Sequence, residues 1–269
     1  MSAAVTARRV GSAIWPPVLF GIVFLTVWEL IVEAFDIEVY LLPSPSAIAA
    51  EFADSTGNIW DAVWRTGTNA FVGLVAGVAL GVALSFVLMR FRVANEIVTP
   101  LAIALNAIPI IVLVPVFNNM FSITSQVPRR LMVTLIVSFV VLVNVSKGLR
   151  QVSPTHLELM RSYAASPSTI PVKARIPNAV PYLFTALKIA APLAVITAFV
   201  AEYFGGSQDG LGYAITSNVS ASRTDASWAY VVGACLLGIA FYLAAVGLER
   251  ITTHRQQAGG LAPGGAATT

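Results

Sequence analysis

Long stretches without an ionisable side chain dominate this chain and narrow its possible folds more than any motif does. Val10–Trp28, Thr66–Met89, Ile97–Pro128, Leu131–Ser146 and Ala226–Leu248 contain no Asp, Glu, Lys or Arg. Tyr182–Phe204 is a further apolar run, interrupted only by Lys188 and Glu202. A helix crosses the hydrocarbon core, about 30 Å thick, with about 20 residues, and it satisfies each backbone polar group within the segment. The runs therefore predict an all-α fold, a polytopic membrane helical bundle with six transmembrane helices. Leu131–Ser146 is short for a span, and Arg130 and Lys147 are placed to snorkel outward from its ends. Charged residues make up 11% of the chain, against roughly 25% in an ordinary soluble domain.

Lys and Arg in the short connections set the orientation. With the N-terminus inside, only Arg65, Arg129, Arg130 and Arg223 fall on the outer side. The other connection cations, from Arg8 to Arg255, fall inside, which predicts that both termini are cytoplasmic. The adjacent Arg129–Arg130 pair runs against that rule without a physical reason in the sequence. The net charge of +3 reports topology and gives no nucleic-acid surface, because no basic patch is interleaved with aromatics. Cys235 is the sole cysteine and lies inside the last run, so it is expected as a packed thiol. The first run has no small-residue cleavage site after it and is read as a retained helix.

After that run, Ser44 is placed to cap a helix with Pro45 at its first position. Ile48 with Phe52, and Trp60 with Trp64, make i, i+4 pairs that predict short helices in the outer interface. They serve either as an interface belt or as a docking surface for an external protein. Gly73, Gly77 and Gly81 recur on one face and predict a close helix–helix approach. The third run carries Pro100, Pro109 and Pro115 with Asn106, Asn118 and Asn119. Kinked polar backbone at membrane depth is tolerated in protein or beside a cavity, so this helix either lines a pore or bonds its neighbours through asparagine. Lys188 lies about two turns past Pro181, where it can snorkel or serve the pathway. Glu202, before "YFGGSQDGLGY", is expected at the outer mouth, where the glycines permit a sharp return of the backbone. Asn106, Asn118, Asn119, Lys188 and Glu202 are the candidates for a translocation pathway.

The segment "ELMRSYAASPSTIPVKARIPNAVPY" interrupts these runs. "SPTHLELMRSYAASPS" predicts a short helix capped by Ser153 or Thr155, with Pro154 in its first turn and Pro167 and Pro171 ending it. A helix this short is marginal alone. Leu157, Met160, Tyr163 and Ala164 make it a compact knob suited to a cytoplasmic socket.

The loop resembles the pattern E-A-A-x3-G-x9-I-x-L-P of permease subunits in bacterial ATP-binding-cassette (ABC) importers. Glu158 takes the Glu position, Ala164 the Gly position, Ala174 the Ile position, Ile176 the Leu position and Pro177 the Pro position, while Leu159 and Met160 replace the two alanines. "LLPSPSAI", "TPLAIALNAIPIIVLVPVF" and "VAEYFGGSQDGLGY" are similar to the nitrate, sulfonate and taurine branch of that family, from about Ile14 to Arg250. The departures are "NNMFSITSQVPRR", where many members have a shorter Gly-containing turn, and "SYAAS" in place of "LGAS". "ELMRSYAAS" is most similar to members that take up heterocyclic vitamin precursors such as thiamine-type pyrimidines.

The resemblance implies a type I ABC importer permease in the bacterial inner or plasma membrane. With the charge count it gives a cytoplasmic N-terminus over residues 1–12 and a permease domain over 13–253 with a coupling loop at 147–181. The Gly-, Ala-, Pro- and Thr-rich composition from Gln256 onward predicts a disordered cytoplasmic tail over 254–269. The implied partners are a pair of ABC ATPase subunits, a second permease chain that is most simply an identical copy, and an extracytoplasmic solute-binding protein. Glu158, Leu159, Met160, Arg161, Tyr163, Ala164, Ala165 and Pro177 would couple to the ATPase. The implied substrate is a small organic solute, either a pyrimidine-like precursor or a sulfonate- or nitrate-like anion.

No cofactor and no catalysis by this chain are expected. His156 and His254 are isolated, and there is no G-x-x-x-x-G-K-[ST] loop for ATP. An intramembrane enzyme would have to use Lys188, Glu29 and Glu202. An ion-gradient-driven secondary transporter would usually show an internal repeat, which is not found between the halves.

Overall fold

A computed structural model describes residues 3–91, 104, 109–122, 124–164, 166, 169–205 and 208–259. The regular structure of the described residues is all helical, joined by short turns and without strands. The helices are α1 (Ala3–Ala34), α2 (Pro45–Asp54), α3 (Thr56–Arg90), α4 (Ile110–Met120), α5 (Val127–Arg150), α6 (Pro154–Ser162), α7 (Ile176–Tyr203), α8 (Leu211–Ser220) and α9 (Thr224–Gly259). A π-helical turn, Pro171–Arg175, leads into α7. Pro177 has no N–H for the carbonyl one turn back, and a widened turn at that point accommodates the missing bond.

Among the described residues, five helices are long and apolar enough to span a membrane: Trp15–Ala34, Thr56–Arg90, Val127–Arg150, Pro171–Tyr203 and Thr224–Thr252. The third expected span is represented by the shorter α4, and most of its first half lies outside the described residues. The span judged short is a full-length helix of 24 residues, because it begins at Val127, before the arginine pair. Helix α9 continues to Gly259, into the segment expected to lack structure.

The chain divides into two compact units, Met1–Asp61 with Ala214–Gly233, and Ala62–Tyr213 with Ala234–Thr269. In the first, Ser44 accepts a hydrogen bond from the Ala47 N–H at 3.3 Å with Pro45 next in line, as the sequence predicts. Glu29 accepts from the Ser46 N–H at 3.0 Å and from its hydroxyl, so this carboxylate anchors α2 to α1. Trp28 meets Trp228 edge-on at 5.3 Å, and Thr224 donates to the Tyr40 carbonyl at 2.7 Å. Trp60 and Trp64 do not form a separate interfacial helix. They are exposed on α3, whose helix starts at Thr56 and runs unbroken into the apolar stretch.

The core of the second unit lies between α5 and α7. Val133, Val137, Val141 and Val145 recur every fourth residue on α5, as do Ala186, Ala190, Ala194 and Ala198 on α7, and all are buried in one cluster. Small residues on α7 let the two helices approach closely. The glycine face of α3 meets α5 as expected. A Cβ at Gly77 would fall 2.7 Å from Val137 Cβ and 2.8 Å from the Thr134 carbonyl oxygen, and one at Gly81 would fall 2.6 Å from the Ser138 carbonyl oxygen. Cys235, expected to be packed, is exposed on α9. Only 11% of that helix's apolar window is buried, against 56% for α5, so the thiol shares a face that no described residue covers.

Candidate functional site

Two places concentrate chemistry, and both belong to the second unit. The first is the loop between α5 and α7. Helix α5 runs to Arg150 and helical backbone resumes by Pro171, so the expected loop of 147–181 is helical at both ends. Asn178 donates to the carbonyls of Gly148 at 2.7 Å and Gln151 at 3.2 Å, satisfying the open end of α5. Tyr182 donates to Gln151 Oε1 at 2.6 Å. These bonds fix the stem on which α6 stands.

Helix α6 begins at Pro154, the position favoured by its preset φ, but its Ser153 cap makes no side-chain bond. None of its residues is buried. Leu159 is 52% exposed and Tyr163 is 79% exposed. Glu158 and Arg161 are exposed as well, and Met160 is half-buried against a groove of about 480 Å³ whose lining includes His156 and Lys173. Ala164, in the glycine position of the coupling-loop pattern, has φ +54°, a left-handed conformation suited to glycine. Its N–H closes the helix on the Arg161 carbonyl at 2.9 Å. Pro177 is exposed at the start of α7. Ala165 lies outside the described residues.

The second place is a polar network at the start of α3 and α5. Glu202, expected at the outer mouth, is buried, 3% exposed. Thr66 Oγ1 donates to Glu202 Oε2 at 2.7 Å and accepts from the Leu211 N–H at 2.9 Å, and the Gly212 N–H donates to the same carboxylate oxygen at 3.2 Å. The glycines of "DGLGY" serve this closure. Gly210 has φ +89°, and a Cβ there would fall 2.5 Å from Glu202 Cδ.

Beside it, Arg129 is buried and donates to Asp209 Oδ1 at 2.9 Å and to Gln126 Oε1 at 2.7 Å. Gln126 donates onward to Asp209 Oδ2 at 3.0 Å, and Asn69 donates to Gln126 Oε1 at 2.7 Å. Arg130 Nε donates to Asn69 Oδ1 at 3.0 Å. The arginine pair that broke the topology rule is thus held by specific partners. Its charges brace a network and do not behave as free loop cations.

The pathway candidates do not converge. Lys188 is ion-paired with Glu249 at 2.8 Å, about 21 Å along α7 from Glu202. Asn118 Nδ2 comes 3.3 Å from where a Cβ on Gly205 would stand, close to the Glu202 turn, while Asn119 is exposed. Asn106 lies outside the described residues. Thr66, Asn69, Gln126 and Asp209 were not singled out from sequence, and Arg129 and Arg130 were noted only as an exception to the charge rule. That arginine pair was the one signal pointing to the network.

The helices define a multi-pass membrane protein. Residues 73–256 match the family described as binding-protein-dependent transport system inner membrane component, and the chain belongs to that family. The formylaminopyrimidine transport permease protein of Halalkalibacterium halodurans is 30% identical over 238 residues, 87% of this chain and 93% of the relative. A bicarbonate transport system permease protein of Synechocystis is 27% identical, over 90% and 86% of the two chains. A putative aliphatic sulfonates transport permease protein of Escherichia coli is 24% identical, over 84% and 86%. The inward-facing MetNI methionine ABC transporter shares the fold, with a TM-score of 0.55 at 18% identity over 73% of this chain and 94% of that one. The chain is therefore an ABC-type transport permease, the membrane component of a binding-protein-dependent system.

Proposed function

We propose that two copies of this chain form the membrane pathway of an ATP-driven importer, with both termini cytoplasmic and α6 seated in a groove of a separate ATPase subunit. The observation that carries this reading is α6 itself. It is a nine-residue helix with no buried residue, ending at a left-handed Ala164 in the place the coupling-loop pattern gives to glycine. So short a helix is marginal unless something else holds it, and exposed Leu159 and Tyr163 supply the apolar surface for a socket. Closure of the ATPase pair would then shift a bistable arrangement of the spans between inward and outward access. The solute, delivered by an extracytoplasmic binding protein, is a heterocyclic vitamin precursor such as a thiamine-type pyrimidine, or a sulfonate- or nitrate-like anion. The relatives named for formylaminopyrimidine, bicarbonate and aliphatic sulfonates support that range.

The test is mild-detergent purification of the tagged chain from native membranes, with mass spectrometry of what accompanies it. A stoichiometric ATPase, lost when Glu158–Ala165 is replaced, is the expected result. A chain recovered without any nucleotide-binding partner would overturn the reading.

A further inference from the structure

The network around Arg129 has an open side. A pocket of about 160 Å³ is bounded by Trp64, Arg65, Asn69, Gln126, Arg130 and Asp209. Its back wall is built: Asn69 is 2% exposed, and the amides of Asn69 and Gln126 are committed to each other, to Arg130 and to Asp209. Those bonds fix the wall without consuming all of its donors. Arg130 is held through Nε, and among the described residues no partner is recorded for its two terminal nitrogens. Arg65 has a 60% exposed side chain and reaches Asp209 only at 3.5 Å, a long and weak ion pair.

The charge count sets the sign of the ligand. Of the residues that bound the pocket, Arg65 and Arg130 contribute two positive charges and Asp209 one negative, so its lining keeps an excess of positive charge. Guanidinium forks match planar and tetrahedral oxyanions, and such charge-assisted bonds are roughly twice as strong as neutral ones. Trp64, 67% exposed at the rim, offers a flat apolar wall one helical turn from Thr68. The volume suits a small group, with no room for a large solute.

We infer that this pocket binds a small oxyanion, a carboxylate or sulfonate group on a compact solute, between Arg65 and Arg130. Its part in transport rests on the importer reading above and deepens it. An oxyanion site there selects the anionic class of solute over an uncharged pyrimidine. Binding itself belongs to this chain's own residues and needs no partner.

The experiment is thermal unfolding of the full-length chain in lipid nanodiscs, titrated with potassium acetate or potassium methanesulfonate at constant ionic strength set with potassium chloride. A ligand that binds only the folded state raises Tm with its concentration. The wild type is expected to show a saturable rise with at least one of the two salts. Arg65→Gln is the main variant, because its exposed side chain makes only a long, weak ion pair. Arg130→Gln is the second, and each should raise the half-saturating concentration about tenfold, the loss of one charge-assisted bond. Arg223→Gln removes an equally exposed arginine outside the pocket and should leave the titration unchanged. No saturable rise in the wild type, or an undiminished one in Arg65→Gln, overturns the inference. Neither result depends on whether an ATPase copurifies, so the two proposals fail separately.

Discussion

Arg129 and Asp209, 80 residues apart in sequence, are joined by a 2.9 Å ion pair in which the arginine side chain is 2% exposed. Such a pair is held by what its removal would leave behind. Asp209→Ala leaves the buried guanidinium with its Gln126 bond but without its counter-charge, and breaking a buried pair on one side typically costs about 3–5 kcal/mol. Replacing both partners, as Arg129→Met with Asp209→Ala, removes the stranded charge and should recover a large part of that loss. Thermal unfolding of the single and double variants in nanodiscs measures the difference. A double variant no more stable than Asp209→Ala would refute the account.

Thr66 does for Glu202 what Asp209 does for Arg129, and its hydroxyl works in both directions at once. Thr66→Val keeps the shape but leaves the Glu202 carboxylate without its shortest donor and the buried Leu211 N–H without an acceptor. Each buried group left unsatisfied costs about 1–3 kcal/mol, so the valine variant should lose at least about 2 kcal/mol. Thr66→Ser should lose much less. Hydrogen exchange at the Leu211 amide separates the two, because only the valine variant should open there.

The glycine face of α3 makes a sharper steric prediction. Gly77→Ala puts a methyl within 2.7 Å of Val137 Cβ and 2.8 Å of backbone oxygen, so the helices must move apart. Overpacking of this kind costs about 1–3 kcal/mol. Gly57→Ala on the same helix meets nothing within 4 Å and should be neutral or slightly stabilising. Comparing their melting temperatures isolates packing from helix propensity.

The spans were legible because lipid demands long apolar runs, and the Ser44–Pro45 start and the Gly73–Gly77–Gly81 face were legible because each is local. What escaped the sequence was long-range. Thr66 meets Glu202 across 136 residues and Asn69 meets Gln126 across 57, and no periodicity announces such a meeting. The glycines after Glu202 were read as permitting a sharp return of the backbone, and Gly210 makes one; what the sequence did not show is that this return closes over the carboxylate and buries it. Trp60 and Trp64 read as a short interfacial helix because an i, i+4 pair shows a helical face but not where the helix ends, and the helix runs on from Thr56 to Arg90. Arg129 and Arg130, an exception to the charge rule in the expected orientation, are bound inside a network.

Ala164 offers the prediction that joins local strain to coupling. A non-glycine residue held in the left-handed region costs about 1–2 kcal/mol, and glycine relieves most of it. Ala164→Gly should therefore stabilise the end of α6 by about 1 kcal/mol and slow exchange of the Leu157–Tyr163 amides about fivefold. Ala164→Glu keeps the strain and adds a bulky charge to the knob. In membranes carrying the whole transporter, the glycine variant should retain uptake and the glutamate variant should hydrolyse ATP without uptake. Undiminished uptake in Ala164→Glu would remove α6 from the coupling surface, whatever the exchange data say about its stability.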